Sequence, residues 1–108
     1  MKFLITTQAE HVAPRFDLAT EVTIVTMVNG KRSGEPRTVL LPGPSADELC
    51  GLVLKEDIAV VVCGGIEEEH YQYFAWKKIK VIDRVIGKTA EVLRLALANK
   101  LRPGAVVV

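Results

Sequence analysis

The residues able to do chemistry fall into three short groups. Cys63 is followed at once by Gly64 and Gly65, and then by a helix-like run from Ile66. A thiol between a strand end and a helix start is expected to have its pKa lowered by backbone amides and the helix dipole. That would make it a nucleophile or a ligand for a soft metal. The segment His11-Val12-Ala13-Pro14-Arg15-Phe16-Asp17 joins an imidazole, a guanidinium and a carboxylate. His70, one helical turn after Ile66, opens the aromatic-dense stretch His70-Tyr71-Gln72-Tyr73-Phe74-Ala75-Trp76. Each group also has a plainer reading. Cys63 can be a small core residue whose glycines serve tight packing. Arg15 can pair with Asp17 while Phe16 plugs the core. A lone helical histidine is more often solvated or packed than a ligand.

Phosphate chemistry is excluded. Gly64-Gly65 before a helix suggests an anion seat, but Glu67, Glu68 and Glu69 put three carboxylates where positive potential is needed. Gly87-Lys88-Thr89 resembles the end of a P-loop, yet the pattern requires glycine at position 82, which is Ile82. No nucleotide is expected. Neither a base–nucleophile pair nor a zinc-type cysteine spacing is present, so the chain reads as non-catalytic.

The elements that must position these groups follow from pattern. The chain has 108 residues, 49% of them hydrophobic and 25% charged, with net charge +1. This predicts one domain over residues 1–108, burying roughly 65% of its unfolded surface. It gives no electrostatic reason for nucleic acid or membrane binding. No run reaches the ~20 apolar residues of a membrane helix, and a cytoplasmic location is expected, with Cys50 and Cys63 as free thiols. Residues 2–6 read as a first strand and residues 7–20 as a long loop. Residues 21–28 read as an interior strand, followed by the hairpin signal Asn29-Gly30. The return strand lies within residues 31–41, interrupted by Ser33-Gly34-Glu35-Pro36 and therefore at an edge. Ser45 and Glu48 form a capping box for a helix reaching about residue 55. Residues 58–62, Ile-Ala-Val-Val-Val, read as a strand buried on both faces. A helix over 66–77, a strand over 80–82 and an amphipathic helix over 88–101 complete the chain. Residues 102–108 form a tail that pairs with a sheet edge or frays. The fold class is α/β: a five-stranded mixed sheet, an antiparallel hairpin plus parallel strands, with three helices.

In this order the residues resemble the dinitrogenase iron–molybdenum cofactor-binding family. The resemblance is carried by Val12-Ala13-Pro14-Arg15-Phe16-Asp17-Leu18-Ala19, by Val62-Cys63-Gly64-Gly65-Ile66, and by Val85-Ile86-Gly87 with Glu91-Val92-Leu93 and Ala98-Asn99-Lys100-Leu101. It implies a ribonuclease H-like fold and a carrier or insertion module for an iron–sulfur or iron–molybdenum cluster in metallocofactor biosynthesis. Arg15 stands where many members have histidine, and Asp17 where they have glycine. The implied cofactor-binding residues are Cys63, Gly64, Gly65, Arg15, Phe16 and Asp17. Cys63, His11 and His70 are the implied metal ligands, Cys63 as the soft thiolate. Partners would be metallocofactor donor or acceptor proteins, and a homo-oligomer stays open. The rival reading is a cluster-free interaction or regulatory module on the same fold.

Overall fold

Alternation along the first strand, β1 (Lys2–Gln8), sends Leu4 to one face of the sheet and Phe3 and Ile5 to the other. Both faces are therefore covered. The computed structural model describes all 108 residues. After β1 come the two-residue β2 (His11–Val12) and a 3-10 turn (Phe16–Leu18). The hairpin strands β3 (Glu21–Val28) and β4 (Lys31–Leu40) follow, then α1 (Ala46–Lys55), β5 (Val60–Val62), α2 (Glu68–Trp76), β6 (Lys80–Ile82) and α3 (Thr89–Leu97). The sheet order is β4-β3-β1-β5-β6, with β2 paired to the end of β1. β1, β5 and β6 are parallel, while β1, β3 and β4 run antiparallel. Helices α1 and α2 cover the sheet face of Leu4, Ile24 and Val61, and α3 covers the face of Ile5, Val25 and Val62.

The hairpin turns as its residues require: Asn29 and Gly30 both have positive φ, 54° and 78°. β4 is the edge strand, but Pro36 does not break it. Between the Ile24–Arg37 and Thr26–Ser33 pairs, Val25 alone faces three residues of β4, so the proline sits in a bulge. Half of the capping box forms, the Glu48 N–H donating to Ser45 Oγ at 3.1 Å. Gly51 lies inside α1 and weakens it by about 1 kcal/mol relative to alanine.

Two expectations need correction, and a third is decided between its alternatives. Residues 7–20 are not simply a loop, because β2 and the 3-10 turn are built into them. The helix expected over 88–101 ends at Leu97, well before Pro103. Asn99 turns left-handed at φ 60°, and the Lys100 N–H donates back to the Leu95 carbonyl at 2.9 Å. Of the two courses open to the tail, pairing is the one taken: Val106 bridges Ile86, and the Val107 N–H donates to the Ile86 carbonyl at 2.7 Å.

Candidate functional site

The loop after β2 is welded by backbone hydrogen bonds to the end of β5. The Phe16 N–H donates to the Gly65 carbonyl and the Gly65 N–H to the Pro14 carbonyl, both at 2.8 Å. The Ala13 N–H donates to the Thr6 carbonyl at 2.9 Å. Arg15, Phe16 and Asp17 are thus brought to Gly64 and Gly65. The weld also explains the first glycine. A Cβ on Gly64 would meet the carbonyl oxygens of Ala13 and Pro14, each at 2.4 Å. Gly64 is there so that the loop can lie on the strand end, and the Gly65 amide is already occupied rather than free for an anion. Neither role is legible in a glycine pair alone.

Phe16 is fully buried. Its ring meets Phe74 edge-on at 5.7 Å and lies 5.9 Å from the His70 imidazole. Cys63 has no exposed surface and belongs to the same core as Leu4, Phe16 and Phe74. The expected lowering of its pKa does not occur. Burial, and secondarily the charge of Asp83, push the thiol up to about 12. Its backbone is committed as well: the Cys63 N–H donates to Ile82 and its carbonyl accepts from Val85, both at 3.1 Å. One position past the Ile5–Val62 pair on β1 stands Thr6, as buried as Cys63, its hydroxyl without a hydrogen-bond partner.

The buried thiol yields a prediction with a defined sign. Its folded pKa lies above its ordinary value of 9.0. Its contribution to stability is therefore complete below about pH 9 and lost as pH rises toward 12. Native protein at pH 8 should react with a thiol reagent at the half-buried Cys50 first, and Cys63 should react roughly a hundredfold more slowly. Quantitative labelling followed by peptide mapping measures this; equal rates would show that the loop opens freely.

Electrostatically the edge is closed upon itself. Arg15 grips Asp17 in a bidentate pair, Nε to Oδ1 at 2.9 Å and Nη2 to Oδ2 at 3.1 Å. Its Nη2 also lies 3.8 Å from Glu67. The hydrogen bond from Arg15 holds the Asp17 carboxyl below its ordinary pKa, and the same bond raises that of Arg15. The guanidinium therefore answers the acidic start of α2 instead of standing free for an anionic cluster.

The implied ligands are not gathered. His70 is partly covered, its side chain 16% exposed, with Nε2 3.9 Å from Glu69. His11 is exposed and bridges Lys88 at the start of α3. No three His, Cys, Asp or Glu side chains converge on one point. A cleft of about 460 Å³ beside the loop, lined in part by Thr7, Gln8, Pro14, Arg15 and Leu18, contains neither cysteine nor histidine. The residues present do not form a donor set for a resident cluster.

The profile of the dinitrogenase iron–molybdenum cofactor family matches residues 1–99. The chain belongs to this family. The membership agrees with a cofactor-related module. Solved structures share the fold. PH0822 has a TM-score of 0.84 at 19% identity, over 95% of this chain and 94% of that one. A crystal structure from Methanocaldococcus jannaschii, of a protein provisionally described as a dinitrogenase, has a TM-score of 0.73 at 21% identity, over 94% and 91%. An NMR structure bearing the same description, from Methanococcus jannaschii, gives 0.75 at 19% identity, over 95% and 92%. No curated protein matches the sequence. No helix is long and apolar enough to cross a membrane.

Proposed function

We propose that the chain is a non-catalytic binding module of metallocofactor handling. Its loop edge meets a protein that donates or accepts the cofactor and does not ligate a cluster through side chains of its own. One observation carries this reading: Cys63, the only soft donor at the edge, is sealed in the core with its thiol pushed up to about 12. A thiolate ligand there would have to break the core packing first. The outward groups suit a basic protein surface. Glu67, Glu68 and Glu69 are exposed, and Arg15 is already paired. Contact through such carboxylates should weaken as salt rises.

A second reading is favoured by family membership and by His70, the one imidazole near the edge. On it, a cluster is cargo, held transiently at the surface. Anaerobic incubation with an iron–sulfur cluster donor, followed by desalting, separates the two. The expected result is colourless protein without stoichiometric iron, binding the donor in a salt-dependent complex. Iron retained by Cys63→Ala and lost by His70→Ala would replace the first reading with the second.

A further inference from the structure

Helices α1 and α2 leave a furrow on their outer face that shares only Glu69 and His70 with the loop edge. Asp47, Gly51, Leu54, Glu69, His70 and Tyr73 are among the residues that line it, with a volume of about 460 Å³. Past Leu54 it continues into a hollow of about 380 Å³ bordered by Asp57, Lys77 and Lys78. Leu54, 43% exposed, lines both hollows, and Trp76, 74% exposed, stands open beside them. Trp76 lies beside Tyr73, ring centroids 6.3 Å apart, with Lys77 Nζ 4.7 Å from the indole. Gly51 has no internal reason to be glycine. Its φ is not left-handed, and an added Cβ would meet nothing within 4 Å. Alanine would favour the helix, so the missing side chain makes sense only against something approaching from outside.

We propose that this face binds a second copy of the chain, related by a two-fold axis with the furrows antiparallel. The charges select that occupant and that direction. Asp47 and Glu69 mark one end of the furrow, and Lys77 and Lys78 the other, where Asp57 is the single carboxylate. A two-fold rotation lays each acidic end on a basic end, whereas parallel copies would set like charges together. Such an interface is isologous and closes as a dimer. Gly51, near the middle of the furrow, lets the two α1 helices approach where the axis passes. Leu54 and Tyr73 supply the apolar centre, and Trp76 next to Tyr73 is an aromatic anchor of the kind that dominates interfaces.

Sedimentation equilibrium of the full chain across a concentration series tests this. The expected mass rises to twice that of the chain. Trp76→Ala, at an exposed position, weakens the dimer about tenfold or more. Asp47→Lys and Lys77→Glu each weaken it alone, and their equimolar mixture recovers an affinity close to the original, because each altered end then faces its opposite charge. Gly51→Ala raises the melting temperature of the monomer while weakening the dimer. A monomeric mass at every concentration overturns the proposal. So does a dimer indifferent to Trp76→Ala, or a charge-swapped mixture that fails to associate.

Discussion

Gly64→Ala destabilises the chain by about 2–3 kcal/mol, whereas Gly65→Ala next to it changes stability by less than about 1 kcal/mol. The two glycines look alike in sequence but differ in space. At Gly64 a methyl group would stand 2.4 Å from two backbone oxygens and 2.7 Å from the Pro14 carbonyl carbon. Backbone cannot rotate aside as a flexible side chain can. Either the loop lifts from β5, losing the hydrogen bonds between Pro14, Phe16 and Gly65, or the strand end shifts. At Gly65 the nearest atom, the Pro14 oxygen, would lie at an ordinary 3.5 Å. Native domains hold only about 5–15 kcal/mol in total, so the first loss is a large share. Urea unfolding midpoints of the two variants measure the difference. Equal losses would mean that the loop is not docked where the weld places it.

Phe16→Ala is expected to cost about 3–5 kcal/mol, the range for removing a fully buried aromatic side chain. The ring fills the space between the loop, α2 and the Cys63 region, and it has no exposed surface. Its loss removes the edge-on contact with Phe74 and the packing under His70. It also opens the core that encloses the Cys63 thiol. The variant should therefore show two coupled changes: a lower urea midpoint and Cys63 labelling accelerated toward the rate of Cys50. Destabilisation without faster labelling would place the cover of Cys63 elsewhere in the core. The same substitution bears on function, since the sealed thiol is what separates the interaction reading from cluster ligation through cysteine.

Much of the architecture was legible because it rests on local chemistry. Residues 21–28 are β-branched and apolar on both faces, and β3 spans Glu21–Val28 between two partner strands. Asn29-Gly30 could adopt the two positive φ values of the turn, and did. The Ser45 hydroxyl caps α1 as its spacing to Glu48 requires. The helix ends were harder to read. All three close through left-handed residues that are not glycine, Asp57, Lys78 and Asn99. In each, the next amide donates back into the last turn: Ile58 to Val53, Ile79 to Phe74, and Lys100 to Leu95. Without a glycine to mark it, the end of α3 lay hidden inside a continuing apolar pattern.

The sequence by itself determined the alternation of strands and helices, the hairpin and the family, because period, turn chemistry and motif order are properties of neighbouring residues. What Cys63 is was decided only by tertiary structure. Its position between a strand and a helix suggested an activated thiol, and that inference considered only the local amides. Packing brought Phe16 and Phe74 into one core with it and the charge of Asp83 near it, the phenylalanines from segments distant along the chain. Desolvation grows with the number of atoms that exclude water, whatever their order in sequence. For the same reason Arg15 could be seen next to Asp17, while its approach to Glu67, and the place of Gly64 beneath Pro14, existed only once the loop had folded onto the sheet.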